Sequence, residues 1–194
     1  MSEIINVFHS NYELKGTMER QEAHQNEEWH ETFQCIFTYK DNLILQKRSL
    51  TVADYKGKFD ITVGGHLLST ETVEDGVREI EEEMGLNVTF ERLNFLCTIP
   101  EELTTPEMID KEFINIYTLE ILAEELKKIK HDAEVEALIK VHKKDFYNFC
   151  LNHSKSCSGY EISDDDEEIL FTREEFLPYS STYFECLGAL LNKR

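Results

Sequence analysis

The sequence predicts an α/β (α+β) layered domain. Three observations carry that prediction. Residues 33–48 hold two aromatic and β-branched runs separated by Asp41-Asn42, the pattern of a β-hairpin. A double glycine, Gly64-Gly65, ends a third apolar run and precedes a segment whose spacing is helical as far as Gly85. Strand-like runs then resume, and strands on both sides of a central helix make a layered domain.

Taken in order, residues 4–8 read as a short strand, and the polar residues 12–29 as irregular or partly helical. Residues 33–39 and 43–48 are the hairpin strands, and residues 59–63 a third strand ended by the glycines. The central helix begins near Thr72, an N-cap residue type, with Glu74 and Asp75 in the first turn where carboxylates suit the helix dipole. Gly85 is its stop signal. Residues 87–99 and 113–122 read as strands, 123–130 as a loop or short helix, and 135–141 as a strand. Residues 143–153 have helical spacing through Phe146, Phe149 and Cys150. Residues 154–168 are polar, end in an acidic run, and read as a solvated loop rather than a calcium site. Residues 176–191 read as a terminal helix with Tyr183, Leu187, Leu190 and Leu191 on one face.

Composition narrows the function classes. The 194 residues include 39 acidic and 20 basic side chains, a formal net charge of −19. Such a field argues against a nucleic acid polymer or an anionic membrane as partner. It leaves room for a small phosphorylated ligand, because a bound cation reverses the sign locally. The odd cysteine count of five, the lack of a Cys-x-x-Cys pair and the lack of an export signal at Met1-Ser2-Glu3 point to reduced thiols and a cytoplasmic setting. No run approaches the roughly 18 apolar residues of a membrane span. Cys150, His153 and Cys157 offer only three ligands in a polar stretch and are not read as a zinc site.

The helix after the double glycine carries the chemistry. Glu79, Glu82 and Glu83 stand at i, i+3 and i+4 and share a face. Like charges at that spacing weaken a helix by a few tenths of a kcal/mol per pair. A hard divalent cation turns the same face into a binding site.

Residues 65–86 resemble the Nudix box, the signature of hydrolases acting on a diphosphate linked to another group. Its end, Arg-Glu-apolar-x-Glu-Glu-x-Gly-apolar, is filled at every fixed position by Arg78-Glu79-Ile80-Glu81-Glu82-Glu83-Met84-Gly85-Leu86. Gly65 and Glu71 fit the front, but six residues rather than seven then precede Arg78. The loss lies upstream of the metal-binding glutamates and takes Glu71 out of the expected core set. The resemblance implies one domain over residues 1–194, with a mixed β-sheet sandwiched between α-helices, a core at about 28–145 and a helical extension at 146–194. It implies Mg²⁺ or Mn²⁺ held by Glu79, Glu82, Glu83 and His66, with one of Glu82, Glu83 or Glu112 handling the proton. Gly64, Gly65, Arg78 and Gly85 support the motif.

The series Arg20-Gln21-Glu22-Ala23-His24, Trp29-His30-Glu31, Gln46-Lys47-Arg48 and Phe59-Asp60-Ile61-Thr62-Val63-Gly64-Gly65-His66 is similar to the branch related to isopentenyl-diphosphate isomerase. That branch places a metal on positions here held by His24, His30 and His66, with Asp110-Lys111-Glu112 supplying carboxylates. Arg48, Phe59, His24 and His30 are the expected substrate-binding residues, and Glu134 lies in a loop that approaches such sites. The isomerase also needs a cysteine where this chain has Gly64, and a glycine cannot move a proton. The expectation is therefore divalent-metal-dependent hydrolysis of a diphosphate bond in a nucleoside diphosphate derivative or similar small metabolite. The rivals are an isoprenoid-diphosphate isomerase and a non-catalytic ligand-sensing module. Residues 142–194 are expected to form a substrate lid or the contact of a homodimer.

Overall fold

Alternation along one strand decides the layering. The computed structural model describes residues 3–106 and 109–191. Its strands and helices run β1 (Ile4–Phe8), β2 (Leu14–Glu19), α1 (Arg20–Gln25), β3 (Trp29–Tyr39), β4 (Asn42–Arg48), β5 (Phe59–Ile61), β6 (Val63–His66), α2 (Arg78–Met84), β7 (Asn94–Thr104), β8 (Ile109–Glu120), α3 (Ala123–Leu126), β9 (Val135–His142), α4 (Lys143–Cys150), β10 (Ser156–Glu161), β11 (Asp164–Thr172) and α5 (Ser181–Leu191). β3 is the hub. It pairs in parallel with β8, from His30 opposite Glu112 to Thr38 opposite Glu120. It pairs antiparallel with β1, β6 and β4.

Side chains of successive strand residues point to opposite faces. Phe33, Cys35 and Phe37 pack with Ile80 and Met84 of α2 on one side of the sheet. Ile36, Ile114 and Ile116 pack with Phe146 and Phe149 of α4 and Phe184 and Leu187 of α5 on the other. A mixed sheet therefore lies between helices, as expected. Thr32 and Gln34 share the parity of Ile36 but are polar, and at their end that face opens into a cavity.

Several boundaries differ from the expectation. Residues 14–19 form β2, because Ile5 and Val7 of β1 need a partner strand and find it there. The third strand breaks at Thr62, whose hydroxyl donates to the Ile44 carbonyl and accepts the Phe37 amide. β5 thus pairs with β4, while β6 pairs with β3 and carries the double glycine inside it rather than after it. The stretch expected as a loop, 154–168, folds with the following residues into the β10–β11 hairpin, which buries Cys157, Gly159 and Phe171. The side chains of the acidic run, residues 164–167, lie outside the described residues. The extension at 146–194 is consequently not all helical. α5 starts at Ser181 because residues 176–180 run extended beside β5. There Phe176 bridges Phe59, and the Leu177 amide donates to the Phe59 carbonyl at 2.9 Å.

The box helix also starts differently. Val73–Val77 wind as a 3-10 helix, and α2 proper begins at Arg78. The cap is reversed: the Asp75 carboxylate accepts both the Thr72 amide and the Thr72 hydroxyl at 2.8 Å. A 3-10 helix rises about 2.0 Å per residue against about 1.5 Å for an α-helix. Tighter winding thus recovers the reach lost with the missing residue. Gly85 ends α2 in the left-handed region, φ 67°. Gly76 has a steric reason as well, because a Cβ there would lie 2.6–2.8 Å from the buried Phe33 side chain. Gly76→Ala should lower stability by about 1–3 kcal/mol through overpacking. The check is a drop in the urea midpoint with an unchanged slope.

Candidate active site

A cavity of about 290 Å³ lies among β3, β5, β6, α2, β8 and the extended segment before α5. Arg78 organises its carboxylate wall. Its Nε and Nη2 donate to Glu71 at 2.6 and 3.0 Å, and its Nη1 to Glu79 at 2.7 Å and Glu82 at 3.2 Å. Nη2 also donates to the His66 carbonyl at 2.9 Å. Burial raises the Glu71 pKa, but hydrogen bonds from Arg78 and the Leu68 amide outweigh it and hold the carboxyl below its usual range. Glu71, set aside by residue counting, is therefore Arg78's anchor after all.

Glu79 and Glu83 feel the opposite balance. Burial pushes the Glu79 carboxyl up to about 7 against the pull of Arg78. Burial also raises Glu83 well above the carboxylate range, although it accepts the Gly64 amide at 3.1 Å and the Gln46 amide at 3.3 Å. Glu83 has no ion-pair partner among the described residues, so nothing positive offsets its burial. Gly65 lies against Glu79 so closely that a Cβ would fall 2.1 Å from its carboxyl carbon. At Gly64 the nearest atom to such a Cβ is 3.6 Å away, so space does not require glycine there. Glu82 stands at the rim, with its side chain 59% exposed.

A second group adjoins the first. His24 of α1, His30 of β3 and His66 of β6 bring one nitrogen each within 4.8 Å of one another, and His30, Asp110 and Glu112 do the same. His24 Nε2 and His66 Nε2 are 3.1 Å apart. His30 Nδ1 lies 3.0 Å from the Glu28 carbonyl, which can only accept, so Nδ1 carries the hydrogen and Nε2 a lone pair. That Nε2 lies 3.4 Å from Asp110 Oδ1, within ion-pair range. Burial nevertheless lowers His30 to about 4 and His66 well below its usual value, so neutral rings face the carboxylate. His30 Nε2 and Asp110 Oδ1 are both buried without a hydrogen-bond partner. Two opposed lone pairs call for a cation, and imidazoles with carboxylates suit Mn²⁺, Zn²⁺ or Mg²⁺.

Comparison with known proteins resolves the family. The sequence model described as the NUDIX domain matches residues 28–155. This chain belongs to the Nudix family. It is 29% identical over 202 residues to a Nudix hydrolase of Clostridium acetobutylicum, covering 98% of each chain. Among solved structures, a MutT protein from Methanosarcina mazei Go1 matches with a TM-score of 0.51 at 20% identity, over 62% of this chain and 81% of that one. The protein DR0079 from Deinococcus radiodurans matches with a TM-score of 0.51 at 17% identity over 98% of both. These structural likenesses show the Nudix fold.

In this Nudix domain the expected residues Glu79, Glu82, Glu83, Glu112, His24, His66, Arg48, Arg78, Gly64 and Gly65 line the cavity, as does Glu134. His30 joins through the cluster just described, and Gly85 serves only to end α2. Phe59 does not take part. It is buried in the core with its ring stacked on Phe171 at 4.5 Å, because β5 turns Phe59 and Ile61 inward and leaves Asp60 facing the cavity. Asp60 and Tyr179 line the cavity and were not anticipated. The polar residue between two apolar ones in β5 was the available signal for Asp60. Arg48 Nη2 donates to the Asp54 carbonyl at 3.3 Å, and its Nε is buried without a partner. Cys150 and Cys157 are buried free thiols in the core.

Proposed function

We propose that this Nudix enzyme hydrolyses the diphosphate bond of a small molecule, a nucleoside diphosphate derivative or similar metabolite, with Mg²⁺ or Mn²⁺ as cofactor. The observation that carries the reading is the meeting of two cation-seeking groups, the box carboxylates and the His–Asp–Glu cluster, at one cavity. Glu79, Glu82 and Glu83 would hold one ion, and His24, His30, His66, Asp110 and Glu112 a second. When bound, the ions neutralise phosphate charge, orient the substrate and lower the pKa of a water molecule. Arg78 fixes Glu79 and Glu82 in place, and the Gly64 amide fixes Glu83. Arg48, with guanidinium hydrogens to spare, orients a phosphate. A cavity carboxylate takes the proton of the attacking water. Five free thiols fit a reducing, cytoplasmic setting. No helix among the described residues is long and apolar enough to cross a membrane.

A screen of diphosphate compounds with phosphate detection, under Mg²⁺ and Mn²⁺, tests the reading. Phosphate release is expected. Tight nucleotide binding without turnover would instead favour a sensing module. Proton exchange into isopentenyl diphosphate in deuterated water, without phosphate release, would favour the isomerase that the histidine cluster also resembles.

Cation uptake should be coupled to proton release. Burial keeps Glu79 protonated up to about pH 7, and a cation needs its carboxylate. Mn²⁺ binding near pH 6 should therefore expel protons, and the Glu79 share of the release should fade above about pH 8, where that carboxyl is already ionised. Calorimetry in two buffers of different ionisation enthalpy counts the protons. A count that does not vary over this range would exclude Glu79 as a ligand.

A further inference from the structure

We propose that Asp60 is the proton acceptor for the attacking water, and that Tyr179 of the C-terminal segment positions it. The inference rests on the hydrolytic reading above. Asp60 is only 5% exposed, yet it lines the cavity. In the β4–β5 register it stands opposite Gln46, the residue whose amide donates to Glu83, so it neighbours the metal-seeking wall. Its own hydrogen bonds come from the Ile61 amide at 2.7 Å and the Tyr179 hydroxyl at 2.9 Å, both neutral donors. Among the described residues Asp60 belongs to no ion pair, whereas Glu79 and Glu82 are tied to Arg78. A base must keep a lone pair free of cations, and Asp60 does.

The hydrogen bonds behind Asp60 have a fixed direction. The Tyr183 hydroxyl donates to Gln34 Oε1 at 2.5 Å, which turns the Gln34 amide nitrogen toward Tyr179. That nitrogen donates to the Tyr179 oxygen at 2.7 Å, leaving the Tyr179 hydrogen for Asp60. The Tyr179 and Tyr183 rings stack at 4.0 Å, which holds both hydroxyls in register. Asp60 thereby presents a carboxylate to the cavity from a rigid mount. As the water oxygen bonds to phosphorus, its proton passes to Asp60. The bond from phosphorus to the bridging oxygen breaks, and its electron pair leaves on that oxygen.

Burial raises Asp60 to about 6, opposed by Arg48, the Ile61 amide and Tyr179. Glu83 and Glu112, both pushed up by burial, are the other carboxyls that interact with it, and the buried phenols of Tyr179 and Tyr183 sit behind it. Asp60 is thus a stronger base than an exposed carboxylate while still ionised at neutral pH.

The test compares Asp60→Asn, Tyr179→Phe, Tyr183→Phe and Glu83→Gln with the unaltered protein, at a temperature where circular dichroism shows each folded. The substrate is whichever diphosphate the unaltered protein turns over. Asp60→Asn should lower kcat about 10²–10⁴-fold with little change in KM. Tyr179→Phe keeps the stacked ring but removes the donor that favours the carboxylate. It should lower kcat and move the acid limb of the pH–rate profile to higher pH, with Tyr183→Phe shifting it less. If Tyr179→Phe leaves that limb in place, or if Asp60→Asn keeps half the rate or more, the inference is overturned. In either case an inactive Glu83→Gln would leave the hydrolytic reading standing. Failure of the unaltered protein to cleave any diphosphate overturns both.

Discussion

Glu83→Gln should lower kcat by about 10²–10⁴-fold, the range spanned by a lost proton acceptor or metal-site carboxylate. Its fold should survive, because the metal-free carboxyl already favours its neutral form through burial. The amide oxygen of glutamine can still accept the Gly64 hydrogen. Glu79, Asp60 and Asp132 push Glu83 toward that same neutral form, which the amide mimics. In chelator, Tm should therefore be unchanged or slightly higher. Parallel melting curves and phosphate-release assays separate the two effects. A variant with a near-native rate would mean that the metal site lies elsewhere, and a collapse in Tm would mean that Glu83 is structural.

Gly65→Ala should be almost as damaging to activity, by a different route. The added methyl would overlap the Glu79 carboxylate, at 2.1–2.6 Å from its atoms. A glutamate side chain can swing aside, so the fold should tolerate the change. Swinging aside breaks the 2.7 Å contact with Arg78 and misplaces a carboxylate proposed to hold the metal. A displacement of about 1 Å in a catalytic group costs on the order of 10²-fold. Gly64→Ala is the control, since its methyl meets nothing closer than 3.6 Å. The expected result is a large fall in kcat at residue 65 and a small one at residue 64, with Tm nearly constant in both. Equal rates for the two variants would show that Glu79 does not need its observed position.

What could be read in advance was what neighbours in sequence encode. The β3–β4 hairpin and the glutamate face of α2 rest on local spacing, and both are present. The β10–β11 hairpin has little local signal, because its buried positions are Cys157, Gly159 and Phe171, set among serines and acids that weaken the apolar alternation. Phe59 packs in the core rather than against substrate because the facing of β5 is decided by pairing with β4 and by the Phe176 bridge, neither of them local in sequence. His24, His30 and His66 are far apart along the chain and come together through the β3–β6 pairing and the placement of α1. Resemblance, not spacing, grouped them. Tyr179 carries no local signal, since its partners lie on β3 and β5.

The bond from Gln34 to Tyr179 spans 145 residues. On a ribosome adding about 5–20 residues per second, Gln34 waits roughly 7–30 s before its partner has been made. During that interval Asp60 has emerged without the hydroxyl that holds it, and the cavity lacks one wall. A chain clipped before Leu177 would lack both the hydroxyl that holds Asp60 and the Leu177 and Tyr179 side chains that line the cavity.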